Sequence, residues 1–410
     1  MNMTGLNKPQ STLLVIALLA VSLNLRPAIA AMGPLTELNL DATHMGSTGI
    51  GFVTMLPVFL MGVGAMSVRP LRRALGEKRG IGLGTLAIAV SCAARFWLND
   101  SLGLLVTAAA AGIGIAIVQA LAPGFIKRNF PGNTGGAIGL YSTGIVSGAA
   151  LAAASAAGLA DRFGWAVALA SWTGPALVAS VIWLVASRPA AGDKRARASQ
   201  GTVATKTITF WSSPRSWSLL VFFGIGTGAF MLVMAWLPPF YVALGQSSET
   251  AGYLLAGLTF IEALTALALA AFIRHFPDRR GPLVTCLVLV LAGLACLLTT
   301  PVSLAVPAII LLGTGIGILF PLSIIVAVDH VNEPTAAGDF TAFVQGGGYI
   351  LASFVPLIAG ALRDAFADLA QAWLLMAIGI IGLIVLALRY SPDSYLAFRR
   401  SLARQETPPG

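Results

Sequence analysis

An all-α membrane protein of twelve transmembrane helices, built as two six-helix halves, is the fold class this sequence predicts. Three observations predict it: too few charges for a water-facing surface, twelve apolar runs of bilayer length, and a second set of six runs that repeats the first. Of 410 residues, 57% are hydrophobic and 10% charged, whereas soluble domains carry roughly 25% charged residues. Most of the outer surface must therefore face lipid. The 45 glycines suit that setting, because small residues let membrane helices approach closely.

A spanning helix needs about 20 mostly apolar residues. In chain order the runs are 12–35, 47–68, 80–98, 102–125, 134–158, 165–187, 216–241, 251–273, 282–300, 304–328, 339–361 and 370–390. Connections are short except 188–215, a polar, basic stretch that reads as a cytoplasmic linker between an N-terminal half, 1–187, and a C-terminal half, 216–390. Residues 391–410 form a tail. With the N-terminus in the cytoplasm, 21 of the 25 Lys and Arg residues fall on the inner side and two, Arg162 and Arg363, on the outer side. That asymmetry is the positive-inside signal of a multi-pass protein of a bacterial inner membrane, with both termini cytoplasmic. It accounts for the net charge of +9 without a nucleic-acid partner. Lys8, the run 12–23 and Ala28-Ile29-Ala30 imitate a cleavable signal peptide. The first run is read as a retained helix because it has a counterpart in the second half.

The repeat has an offset near 202. Glu77-Lys78-Arg79-Gly80 corresponds to Asp278-Arg279-Arg280-Gly281, and Gly112-Ile113-Gly114-Ile115 to Gly315-Ile316-Gly317-Ile318. Gly158 corresponds to Gly360, and the proline-rich exit Gly33-Pro34-Leu35 to Leu237-Pro238-Pro239. An offset of six helices, an even number, leaves both halves in the same orientation. They are then related by a pseudo-two-fold axis along the membrane normal, which is the arrangement of major facilitator transporters. That fold places a solute site at mid-membrane between the halves, and rocking of one half against the other alternates access.

Ionisable groups at mid-span are expensive and mark function. Arg26 lies near the middle of the first run, on a face of small residues that includes Ser22, Ala30 and Gly33. Pro27 follows it and frees the carbonyl of Leu23, loosening the helix. A planar, permanently charged guanidinium suits a small anion; a structural ion pair or carbonyl clamp is the alternative. Glu262, central in the eighth run, can carry a proton, pair with Arg26, or bond a neighbouring helix. Gln119 and Gln345 are neutral polar groups at depth, able to bind solute or hold helices together. Tyr141, Phe230, Trp236 and Tyr349 lie on runs that line the cavity in this architecture, as solute contacts or as packing. Asp329, His330 and Asp339 sit at the cytoplasmic ends of the tenth and eleventh runs, as a gate or as solvated helix ends. Arg95 lies close to the outer surface and is expected to snorkel to it. The three cysteines and three histidines lack metal-ligand spacing, and no GxxxxGK[ST] sequence occurs. No metal, cofactor, ATP drive or enzymatic activity is expected.

Leu23-Asn24-Leu25-Arg26-Pro27, Gly33-Pro34-Leu35 and Ile126-Lys127-Arg128-Asn129-Phe130 resemble the cyanate and nitroimidazole permeases of the major facilitator superfamily. So do Ala235-Trp236-Leu237-Pro238, Asp278-Arg279-Arg280, Phe320-Pro321-Leu322 and Asp329-His330. The resemblance covers nearly the whole chain and is closer on the cyanate side. It implies a secondary transporter of a small, compact solute. Two features depart from the pattern. The loop Arg69–Arg79 lacks the Asp that precedes its first arginine in the superfamily, and Glu262 is not part of the family pattern.

Three functions are therefore expected in order: a carrier of a small anion such as cyanate with Arg26 as charge partner, an exporter of a small drug-like compound such as a nitroimidazole, and a passive channel or non-transporting sensor. The partners are the solute and the bilayer, and a monomer is expected.

Overall fold

A computed structural model describes residues 8–130, 134–187, 210–331, 334–396 and 398. The described residues are helical almost throughout. The N-terminal half holds α1 (Lys8–Leu23), α2 (Pro27–Ala30), α3 (Thr36–Thr43), α4 (Ser47–Met66), α5 (Val68–Leu75), α6 (Glu77–Ala94), α7 (Ser101–Asn129), α8 (Thr134–Phe163), α9 (Trp165–Ala170) and α10 (Thr173–Ala186). The C-terminal half holds α11 (Pro214–Ala243), α12 (Ser248–Phe272), α13 (Arg280–Thr299), α14 (Ala305–Asp329), α15 (Pro334–Phe366) and α16 (Ala370–Leu388).

Among the described residues, eleven helical stretches are long and apolar enough to cross a membrane, where the sequence predicts twelve runs. The difference is the third run. It forms α6, of 18 residues, whose first three are Glu77, Lys78 and Arg79, so a full apolar window does not fit within it. Its remaining turns still pack between α7 and α10 as a third span would.

Helix contacts repeat from half to half. Counting spans, the third and fourth pack together (α6 with α7), as do the ninth and tenth (α13 with α14). The first packs on the fifth (α1 with α8), and the seventh on the eleventh (α11 with α15). The halves meet along two seams, α4 with α15 and α8 with α12. Moving each helix six spans along the chain exchanges these seams, as the pseudo-two-fold relation of the major facilitator fold requires.

The α4–α15 seam is close because it is built on glycine. A Cβ on Gly62 would lie 2.7 Å from the carbonyl of Gly346, nearer than a side chain tolerates. Away from the seams, large apolar side chains such as Val90, Val106, Leu151, Val181, Phe260 and Ile378 are exposed, which in water would be a large penalty and in lipid is not.

Most of the linker expected at 188–215 and the end of the tail lie outside the described residues. Where description resumes, Phe210 packs on Phe340, ring centroids 4.9 Å apart, and α11 begins at Pro214. The near part of the tail folds back, placing Tyr395 4.2 Å from the ring of His330.

Candidate functional site

The first span breaks where the sequence places Arg26. Pro27 has no N–H to offer the Leu23 carbonyl, so the chain leaves the α geometry there. Asn24 and Leu25 instead close tight turns onto Val21 and Ser22, at 3.1 and 3.2 Å. Asn24 Nδ2 donates to Ala20 O at 2.8 Å and to Pro175 O at 3.3 Å, holding the break against α10. Opposite the break stands Gly148 of α8, where any side chain would drive into the Leu23 carbonyl. Arg26 is thereby turned inward at the head of α2, 6% exposed.

What surrounds Arg26 comes mostly from other helices and from both halves. Its guanidinium carbon lies 5.5 Å from the ring centroid of Phe230 on α11. Tyr141 of α8, Glu262 of α12 and Tyr349 of α15 are within electrostatic reach of its charge. Arg26 Nη1, Tyr141 Oη and Glu262 Oε2 are buried and, among the described residues, have no hydrogen-bond partner. Among the described residues no carboxylate lies within 4.0 Å of Arg26, so the Arg26–Glu262 ion pair weighed from the sequence is not formed. A buried polar group left unpaired costs about 1–3 kcal/mol, and more when charged. Phe230, Tyr141, Glu262 and Tyr349, from both halves, thus lie within ring-contact or electrostatic reach of Arg26, with donors and an acceptor still available.

The other predicted residues are placed differently. Trp236 is 1% exposed and donates Nε1–H to Pro356 O at 3.0 Å, joining α11 to α15, with the Arg363 guanidinium 5.7 Å from its ring. Gln119 on α7 and Gln345 on α15 are half-buried and make none of the described contacts with Arg26. Of the three residues read as a gate, Asp339 bridges the halves: it accepts from Arg69 Nη2 at 2.6 Å. Asp329 pairs with Arg279 at 3.0 Å, and His330 Nε2 accepts from Arg215 at 3.0 Å. These described contacts of Asp329 and His330 stay inside the C-terminal half.

Sequence reasoning missed the closure of the end opposite the basic loops. Asp364, at the end of α15, accepts from the backbone N–H groups of Ser47 and Thr48, both at 2.8 Å, and from Thr48 Oγ1 at 2.6 Å. A carboxylate of one half therefore caps the N-terminus of α4 in the other, where free N–H groups and the helix dipole favour negative charge. Beside it Arg363 pairs with Glu37 at 2.7 Å. The adjacent pair Arg363-Asp364, a cation on the cation-poor side, was the available signal.

Arg95 corrects an expectation outright. It does not snorkel: it is 1% exposed, donating Nη1–H to Ala28 O at 3.0 Å and Nε–H to Thr107 Oγ1 at 3.4 Å. The end of α6 is rotated so that the side chain points into the half, and distance from the surface along a span does not report that rotation.

A family model for the Major Facilitator Superfamily matches residues 12–356 and, in a second match, 244–408. The cyanate transport protein CynX of Escherichia coli (strain K12) is 35% identical, over 92% of this chain and 97% of its own length. The 2-nitroimidazole transporter of the same organism is 28% identical over 88% of this chain and 91% of its own. Among solved structures, that of a D-xylose-proton symporter superposes with a TM-score of 0.77, covering 94% of this chain and 97% of the other. At 12% identity that likeness is one of fold alone.

Proposed function

This chain belongs to the major facilitator superfamily, and from that premise we propose that it carries a small, compact anion such as cyanate, with Arg26 as the charge partner. It is a multi-pass membrane transporter of that superfamily. The observation that carries the finer reading is the state of Arg26: buried between the halves, with one nitrogen unpartnered and no carboxylate within ion-pair distance among the described residues. A charge at that depth costs about 3 kcal/mol on insertion scales. The Phe230 face, 5.5 Å away, returns about 2 kcal/mol. A bound anion supplies the rest, with Tyr141 and Tyr349, one from each half, within electrostatic reach of Arg26.

Because Arg26 and Tyr141 belong to one half and Phe230, Tyr349 and Glu262 to the other, the anion joins surfaces that part when the halves rock. Binding then favours the arrangement in which both are engaged, which is the differential affinity that drives a conformational change. Glu262 is the group that senses the charge arriving at Arg26, either by holding a proton while the anion is bound or by replacing the anion in its absence. The basic loops are assigned to the cytoplasm, with both termini, in a bacterial inner membrane. The linker, 188–215, joins the halves there.

A second reading has a specific observation in its favour. The aromatic residues Phe230, Tyr141 and Tyr349 around the charge of Arg26 also suit outward movement of a flat neutral compound, and one relative is a 2-nitroimidazole transporter. Thermal unfolding of the detergent-purified protein against cyanate, thiocyanate, nitrate, nitrite, bicarbonate, small carboxylates and nitroimidazoles separates the two. A ligand bound only by the folded state at 100 times its Kd adds about 2.7 kcal/mol. One small anion is expected to raise the midpoint of the native protein and leave Arg26→Ala unmoved. Stabilisation by nitroimidazoles alone, retained in Arg26→Ala, would transfer the assignment to the exporter.

A further inference from the structure

We propose that Arg95 is a positioning residue for the solute site: it supplies a hydrogen-bond donor that is lost where the short turn α2 ends, and so fixes the direction in which Arg26 is presented. The inference rests on the reading of Arg26 as the solute's charge partner.

In a continuous helix the Ala28 carbonyl would accept from the N–H of Met32, four residues on. Here Met32 N–H goes to Ile29 O at 3.1 Å, and Leu35 N–H to Met32 O at 3.1 Å. Arg95 Nη1 takes the place of the displaced donor, 3.0 Å from Ala28 O. The guanidinium is held by a second contact, Nε–H to Thr107 Oγ1 at 3.4 Å. The threonine hydroxyl donates its own proton to Gly103 O at 2.8 Å, which leaves its lone pairs for Arg95.

Ala28 is mechanically close to Arg26. It lies in the single turn Pro27–Ala30, and the Arg26 carbonyl accepts from Ile29 and Ala30 N–H at 3.0 and 2.9 Å. A pull on the Ala28 carbonyl is therefore transmitted through one hydrogen-bonded turn to the residue at its head. Arg95 is anchored at the end of α6 and Thr107 in α7, both within the N-terminal half. The broken span is thus tied to the body it must move with, while its Arg26 side chain remains free to meet the solute.

Packing alone does not explain a charge at this place. Arg95 is 1% exposed, and among the described residues no carboxylate lies within 4.0 Å of it. Its partners are a carbonyl and a hydroxyl, so what the site uses is the guanidinium's spaced pair of donors, which Lys cannot reproduce.

The test uses the purified full-length chain and two readouts. In a background with Cys92, Cys286 and Cys296 replaced by Ala, the thiol of Arg26→Cys is modified with a small methanethiosulfonate reagent, with and without Arg95→Gln. The control thiol is Ser142→Cys, exposed on α8. Loss of a fixed orientation is expected to change the Arg26→Cys rate by about tenfold or more, Arg95→Lys falling between, with the control unchanged. Equal rates in folded protein would overturn the proposal. The second readout is cyanate stabilisation: Arg95→Gln is expected to weaken apparent affinity about tenfold in the native background and to have no further effect in Arg26→Ala. A comparable loss in both backgrounds, or none in either, would equally overturn it. If no small anion stabilises the native protein, the anion reading fails by itself and the labelling rates still decide Arg95. If Arg95→Gln does not fold, Thr107→Val carries the same comparison, with a change of a few-fold expected.

Discussion

Arg26 and Glu262 stand on opposite halves, each with a buried atom that has no partner among the described residues, and the charge of one reaches the other without an ion pair closing between them. A closed pair would have to be broken by every arriving solute. An open one leaves the guanidinium available and makes the carboxyl group responsive to what occupies it. This leads to a prediction for Glu262→Gln, which keeps shape and hydrogen bonding but cannot exchange a proton. The variant is expected to retain anion stabilisation and to lose uptake driven by an imposed pH gradient in vesicles, while counterflow exchange persists. Undiminished gradient-driven uptake would remove Glu262 from coupling. The residue scale is also where sequence reading reached furthest and erred most. The burial of Arg26 was legible from its depth and from the proline after it. Arg95 was not, because its depth suggested the surface while the rotation of α6 turned it inward.

Among the elements, the pseudo-equivalent corners at the basic end are built with opposite polarity. In the N-terminal half Glu77, at the start of α6, pairs with Arg128, in the last turn of α7. In the C-terminal half Arg279, at the N-cap of α13, pairs with Asp329, at the end of α14. Only the first arrangement agrees with the helix dipoles, which favour anions at N-termini and cations at C-termini by about 0.3–1 kcal/mol each. The second is sustained by further bonds, since Arg279 also donates to the carbonyls of Ile273, at 2.8 Å, and Phe276, which close the chain after α12. The single change Glu77→Arg is therefore expected to lower the unfolding midpoint, by placing two cations together at a helix start. Adding Arg128→Glu should restore part of the loss, because the pair returns but the dipoles then oppose it. Full restoration would mean that the dipoles contribute nothing at this corner. The repeat of helices could be read from sequence; the reversal of its charges becomes meaningful only when the partners are known.

At the scale of the whole molecule, each end of the α4–α15 seam carries its own fastening. Arg69 and Asp339 join the halves at the basic end. Asp364 on the N-terminus of α4, with Glu37 and Arg363, joins them at the other. Transport by rocking requires that the fastenings part in turn, so weakening one should raise the population closed at the other. Asp339→Asn is expected to increase thiol labelling at the basic end, and Asp364→Asn at the opposite end. The seam charges are partly exposed, so each shift should be modest, of the order expected for surface pairs, about 1 kcal/mol or a few-fold in population. Labelling that rises at both ends in either variant would indicate general loosening rather than alternation. Asp339 was legible as a candidate but could not be separated from Asp329 and His330, since all three lie at helix ends. Helix pairing separates them: among the described contacts, that of Asp339 with Arg69 reaches the other half.

The sequence by itself determined that this is a multi-pass helical membrane protein, where its spans run and that its halves are repeats. Those properties depend on hydrophobic length and on order along the chain, and neither needs a neighbour to be known. Tertiary structure decided which polar groups meet. It brought Tyr141, Phe230, Glu262 and Tyr349 around Arg26, turned Trp236 to a backbone carbonyl and Arg95 to the broken turn, and put Asp364 on the opposite half. The physical reason is rotation: a spanning helix satisfies its backbone and its lipid contacts at many angles about its own axis. Close seams such as Gly62 against Gly346 select one of them.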